Sequence, residues 1–186
     1  FAAKAISDGC SFAIIDEKKI AKNDKFILVK NVLETLQNLA RYHRKQLSIP
    51  IIGITGTNGK TTSKELIHAV LKSEANSYAT KGNLNNHIGV PLSILEITKE
   101  HEIAIIEMGA NHQGEIESLC EIAQPNFGVI TNIGKAHLEG FGSFEGVVKA
   151  KSELYDYIQK NKGTVFVNDN LLLNLSEKIE RITFCI

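Results

Sequence analysis

The stretch at residues 49–62, Ile-Pro-Ile-Ile-Gly-Ile-Thr-Gly-Thr-Asn-Gly-Lys-Thr-Thr, constrains the fold more than any other part of the chain. An apolar, β-prone run meets three glycines, then Lys60, Thr61 and Thr62, and a helical pattern follows. Strand, Gly-rich turn and helix in that order let backbone N–H groups wrap phosphate oxygens, with the positive end of the helix aimed at them. Lys60 adds a mobile positive charge, and Thr61 a hydroxyl suited to Mg²⁺. The expectation is a nucleoside triphosphate site on Gly56-Thr57-Asn58-Gly59-Lys60-Thr61-Thr62. This is a variant of the general phosphate loop: counting back from Gly59, the first glycine position holds Ile54. The plainer alternative is a Gly-rich turn that binds nothing, and the flanking strand and helix argue against it.

The rest of the chain alternates in the same way. Residues 1–30 read as a short helix over 1–7, a strand over 11–15 and a strand over 26–29, too little for a domain and more like the tail of one. Val32, Leu33, Leu36, Leu39, Ala40 and His43 mark one helical face, and Asn31 with Glu34 suits its N-terminus. After the loop, Leu66, Ile67, Val70 and Leu71 carry a helix to about residue 74. Strands are predicted over 77–80, 103–106, 127–131, 164–167 and 182–186, and helices up to residue 95, over 115–123 and over 144–159. Such alternation predicts an α/β fold with a mainly parallel sheet flanked by helices. Ligands of these sheets lie beyond the carboxyl ends of the strands. The phosphate loop, Glu107 and the segment after Asn132 all fall at such ends, which points to one site.

Three residues outside the loop carry further chemistry. Glu107 closes an apolar strand, where a carboxylate beside a phosphate loop is placed to bind Mg²⁺; the alternative is a strand-end charge reaching solvent. His137, in a glycine-flanked loop, is either a ligand or a structural histidine. Lys151 stands on the apolar face of the last long helix, in register with Phe144, Val148, Tyr155 and Ile158. It either covers the core with its methylenes or aims its amine into the site. Burial and nearby metal charge favour a neutral amine, which is able to add CO₂ and become a carbamate. Lys149, on the polar side, is expected in solvent; His43, His68 and His101 carry no functional signal.

Composition excludes several classes. Lysine plus arginine and aspartate plus glutamate each number 21, so no global charge points to nucleic acid or a membrane surface. No apolar run approaches a bilayer span. Cys10, Cys120 and Cys185 lie far apart without metal spacing and suit idle thiols of a reducing cytoplasm.

The phosphate-loop phrase resembles that of the Mur ligase family of ATP-dependent amide-forming enzymes. So do residues 82–91 (Gly-Asn-Leu-Asn-Asn-His-Ile-Gly-Val-Pro), 107–112 (Glu-Met-Gly-Ala-Asn-His) and 131–143 (Thr-Asn-Ile-Gly-Lys-Ala-His-Leu-Glu-Gly-Phe-Gly-Ser). The last three look like the branch that adds D-alanyl-D-alanine to UDP-N-acetylmuramoyl-tripeptide. The resemblance implies that ATP phosphorylates the terminal carboxylate of the tripeptide and that the dipeptide amine attacks the acyl phosphate. It implies that Lys60 and the loop amides hold the β- and γ-phosphates, and that Thr61 and Glu107 serve one Mg²⁺. His137 serves a second, together with a carbamate on Lys151. Asn83, Asn85, Asn86, Asn111 and His112 become candidate substrate contacts.

The same resemblance implies a P-loop NTPase-like Mur ligase central domain preceded by the tail of an N-terminal α/β domain. Residues 1–46 match the end of a UDP-substrate-binding domain and a linker helix. Residues 47–186 match an incomplete ATP-binding domain, with a third, C-terminal domain absent. Both ends of the chain read as cut, and the chain alone is expected not to ligate. Two rivals are a related ligase that adds glutamate to folate, and a non-catalytic nucleotide-binding module. The asparagine-rich loop and the phrase after Glu107 argue against the first, and His137 with an inward Lys151 against the second.

Overall fold

The computed structural model describes residues 1–134, 138–168 and 180–184. Two of the features singled out in the sequence, His137 and Cys185, lie outside the described residues. The helices are α1 (Ala2–Ser7), α2 (Val32–Lys45), α3 (Lys60–Leu71), α4 (Gly89–Leu95), α5 (Glu115–Ala123), α6 (Leu138–Phe141) and α7 (Phe144–Lys160). The strands are β1 (Ala13–Ile15), β2 (Phe26–Leu28), β3 (Ile51–Thr55), β4 (Ser77–Ala79), β5 (Ile103–Glu107), β6 (Phe127–Ile130), β7 (Thr164–Asn168) and β8 (Glu180–Phe184). β1 and β2 form a small parallel pair, and the other six make a sheet in the order β4-β5-β3-β6-β7-β8 with every pairing parallel.

β3 is the central strand and is buried along its whole length. Its side chains alternate between two layers. Ile52 and Ile54 join Ile105 on one face, where Ile67 and Leu71 of α3 cover them. Ile51 belongs to the larger core of the opposite face, with residues of α2, α4, α5 and α7. Each fully buried isoleucine here contributes roughly 1.5–3 kcal/mol relative to exposure. Gly53 and Gly128 are register partners on β3 and β6. A Cβ on Gly53 would lie 3.0 Å from Leu154 Cδ1, and one on Gly128 would lie 3.2 Å from Ile158 Cγ1. The pair of bare backbones lets α7 settle close against the sheet.

Local signals explain the helix starts. Asn31 Oδ1 accepts from the Glu34 N–H at 2.9 Å, and Ser143 Oγ from the Gly146 N–H at 3.1 Å. α2 packs on α4 and α5, and its Arg44 donates to the carbonyls of Leu47, Ala123 and Gln124. The segment assigned to a linker is thereby fastened to the core.

The structure corrects three details. α3 stops at Leu71 instead of residue 74. Leu66 and Val70, expected in its apolar face, are exposed; the inward stripe is Lys64, Ile67 and Leu71. In α7, Phe144 is 39% exposed, while Gly146, Val147, Ala150, Lys151, Leu154, Tyr155 and Ile158 face inward.

Candidate active site

The site forms where β3, β5 and β6 end side by side. Ile54 pairs with Glu107 and Thr55 with Ile130, so the phosphate loop leaves the sheet between the acid and the 131–134 segment. Gly56 takes a φ of +147°, and a Cβ there would come within 2.0 Å of Thr131 Oγ1. Only glycine fits both the backbone and the space. The 131–134 segment then clamps the loop. Asn132 accepts from the Thr57 and Asn58 N–H groups, through its carbonyl and side-chain oxygen, each at 3.0 Å. Its side-chain amide and the Thr131 hydroxyl both donate to the Asn58 carbonyl. Two of the loop amides are therefore engaged by protein.

The amides that follow are differently placed. Gly59 caps α3 in the left-handed conformation, with φ +74°, and supplies no side-chain acceptor. Among the described residues, nothing accepts from the N–H groups of Lys60, Thr61 and Thr62. Unpartnered first-turn amides at a helix start suit an anion. Lys60 folds back on the loop, donating to the Gly56 carbonyl at 2.8 Å and the Thr57 carbonyl at 3.3 Å. Burial lowers the pKa of its amine, and the charge of Glu107 opposes that shift. These residues fit a polyphosphate.

Glu107 is 1% exposed and lies at the centre of the site. Its Oε2 accepts from the Thr61 hydroxyl at 2.9 Å, and its Oε1 from the Asn85 side-chain amide at 2.8 Å. A buried carboxylate beside a hydroxyl is a hard oxygen donor set that fits Mg²⁺. Among the described residues no three His, Cys, Asp or Glu side chains converge as a metal cluster, so the fit rests on Glu107 with Thr61.

Lys151 points inward, as its spacing predicts, and is 3% exposed. Its Nζ lies 5.4 Å from the centre of the Phe141 ring. It lines a small cavity with Gly56, Thr57, Lys60, Ala110 and Phe141. Burial, and then the like charge of Lys60, lower its pKa to about 8. The amine therefore gives up its proton at a lower pH than an ordinary lysine does.

The asparagines divide. Asn85, Asn86 and Asn111 line an open cleft of about 850 Å³ together with Lys60, and Gln37 and Arg41 of α2 form part of its wall. Asn86 also spends its side-chain oxygen on the Ile88 and Gly89 N–H groups at the start of α4. Asn83 and His112 are outside the residues lining the cleft. The His112 N–H is held by Glu115 at 3.1 Å, and its side chain is largely exposed.

Lys149 is exposed. His43 and His68 are bonded to the carbonyls of Ile97 and Ser77, and His101 Nδ1 accepts from the Thr98 N–H. Cys10 is exposed, and Cys120 is buried with its thiol pKa pushed up by desolvation.

Two features went unread in the sequence. One is the Thr131–Asn132 clamp, for which side-chain spacing carries no signal. The other is Lys64, fully buried against Glu107. Its signal was available: 64, 67 and 71 step by three and four, as the inward stripe of α7 does.

Residues 54–185 match the family described as Mur ligase middle domain. The UDP-N-acetylmuramoyl-tripeptide--D-alanyl-D-alanine ligase of Bacillus subtilis is 40% identical over 163 residues, covering 88% of this chain and 36% of that protein. The enzyme of the same name from Haemophilus influenzae is 41% identical over 169 residues, covering 89% and 37%. The crystal structure of the MurF ligase from Thermotoga maritima in complex with ADP superposes with a TM-score of 0.87 at 34% identity, over 98% of this chain and 43% of that one. The chain thus spans a little over a third of the curated relatives it matches. Sequence match and shared backbone agree that this chain belongs to the Mur ligase family, with residues 54–185 as its middle domain.

Proposed function

We propose that the chain supplies the nucleotide-binding part of an ATP-dependent amide ligase of peptidoglycan precursor synthesis. This ligase joins D-alanyl-D-alanine to UDP-N-acetylmuramoyl-tripeptide. The observation that carries the reading is the position of Glu107. Its two oxygens are bound by Thr61 of the phosphate-loop helix and by Asn85 of the asparagine loop, so one carboxylate joins the nucleotide side to the cleft. The names of the relatives and the ADP bound to the Thermotoga structure support the substrates.

In this reading Lys60 leaves the Gly56 and Thr57 carbonyls and, with the first amides of α3, holds the β- and γ-phosphates. Asn85, Asn86 and Asn111 border the space taken by the tripeptide, with Asn83 and His112 as outer contacts. A terminal carboxylate oxygen of the tripeptide attacks the γ-phosphorus, and ADP departs. The amine of D-alanyl-D-alanine then attacks the acyl carbon, loses a proton, and the tetrahedral intermediate expels phosphate to leave the amide. Thr61 and Glu107 would hold one Mg²⁺, and His137 with a carbamate on Lys151 would hold a second. Mg²⁺ offsets the repulsion between the γ-phosphate and the incoming carboxylate.

Residues 1–46 belong, in this reading, to the end of a UDP-substrate domain with its linker helix, and 47–186 to the ATP-binding domain. The reaction is cytoplasmic, and neither nucleic acid nor membrane insertion is part of it. No described helix is long and apolar enough to cross a membrane.

Nucleotide titration of the chain is the first test. ADP with Mg²⁺ should bind, and Lys60→Ala should weaken it by about 10- to 100-fold, the range of a hydrogen bond to a charged group. Undiminished affinity in Lys60→Ala, or no binding at millimolar nucleotide, overturns the reading. In a full-length ligase carrying this segment, D-alanyl-D-alanine should be accepted and glutamate refused as the amine.

A further inference from the structure

Lys64 is completely buried in α3, one turn after Lys60. Its Nζ donates to the Thr80 carbonyl at 2.5 Å and the Gly82 carbonyl at 3.2 Å. It lies 3.0 Å from Glu65 Oε1, at the protein surface, and 3.9 Å from Glu107 Oε2. Thr80 completes the connection, since its hydroxyl accepts from the Glu107 N–H at 3.0 Å. A lysine so deeply buried requires carbonyls and a counter-charge, and here it has both. The oxygen it approaches is the same Oε2 that Thr61 binds, the oxygen that faces the phosphate loop.

We propose that Lys64 is a positioning residue that acts as the resident counter-cation of Glu107, so that divalent metal enters the site effectively only with a nucleotide. This rests on the reading of Glu107 as the cation ligand. The ammonium is covalently fixed and walled in, so it cannot leave when metal arrives. A divalent ion at Oε2 would meet a carboxylate whose charge is already partly offset, with a fixed positive charge 3.9 Å from that oxygen. Phosphate oxygens supply the missing negative charge, and only then is the metal held firmly. Lys64 also ties the 80–82 turn to α3, which keeps Asn85 within reach of Oε1.

The test is binding of Mg²⁺ alone to the full 186-residue chain, read by calorimetry without nucleotide. Lys64→Met keeps the length of the side chain and removes its charge. The half-saturating Mg²⁺ concentration should fall by about ten-fold or more, because removing a like charge at this distance outweighs solvent screening. Structural damage would move it the other way. Unchanged or weaker Mg²⁺ binding in a Lys64→Met chain with native circular dichroism overturns the proposal. Lys64→Gln, neutral but still a donor to Thr80 and Gly82, repeats the measurement if the methionine chain does not fold. In the unaltered chain, Mg²⁺ binding as tight without ADP as with it would also overturn the proposal. Glu107→Gln separates the two readings. If it leaves Mg²⁺ binding intact, Glu107 is not the ligand and the proposed function loses its metal. If it weakens Mg²⁺ binding while Lys64→Met does not strengthen it, only the role of Lys64 fails.

Discussion

Lys64 in α3 and Lys151 in α7 are both sealed from solvent, 0% and 3% exposed, on helices that flank the same site. Their surroundings differ in kind. The first is wired to two carbonyls and two carboxylates. The second faces an aromatic ring and another lysine, and among the described residues no acceptor is bonded to its amine. One burial therefore serves to fix a charge, and the other to discourage one. The same residue type on the same kind of helical stripe is thus a fastener in one place and an amine without a bonded acceptor among the described residues in the other.

Truncating the fastener should have the largest effect. Lys64→Ala leaves Glu107 short of its counter-charge and two carbonyls short of a donor, and should destabilise the chain by about 3–5 kcal/mol. Denaturant unfolding would measure it, and a loss under about 1 kcal/mol would erase the contrast with Lys151.

The next effect depends on pH. The pKa of Lys151 is lowered from 10.5 to about 8. Between those values the unfolded chain holds a proton that the folded chain has released, so stability rises with pH across that window. Below about pH 8 both states hold the proton, and the cost of burying the charge is fully present. Lys151→Met removes that cost. It should stabilise the chain at pH 7 by on the order of 2–3 kcal/mol, and the gain should vanish toward pH 10.5. Unfolding curves at three pH values would show it; equal gains at every pH would mean that the amine is not desolvated.

Phe141→Leu should have the smallest effect. It removes the ring next to the Lys151 amine and costs about 1 kcal/mol, the scale of a partly desolvated cation–π contact together with a small packing loss. A clearly larger loss in thermal unfolding would mean that the ring supports α6 and α7 more than it shapes the surroundings of the amine.

Much of this was legible beforehand, for reasons that can be named. The parallel α/β order followed from alternating periods, and Asn31, read as the start of a helix, caps α2. Glu107 was legible because a charge that closes an apolar strand has few reasons to be there. Lys151 was legible because its stripe could be counted. Lys64 obeyed the same count, but Leu66 and Val70 supplied a competing apolar face, which the structure leaves in solvent. The strand order, and Asn132 as the clamp of the phosphate loop, depend on which strands become neighbours, and no local pattern specifies that.

The two facing glycines of β3 and β6 set a mechanical quantity. Leu154 and Ile158 rest on Gly53 and Gly128, one and two turns beyond Lys151 on the same helix. The sheet thus serves as a depth stop for α7, and the helix as a rigid arm that carries the amine. A single methyl group at either glycine would lift the arm by tenths of an ångström, and the amine would retreat with it. The reach of Lys151 into the site is therefore gauged by two residues that have no side chains.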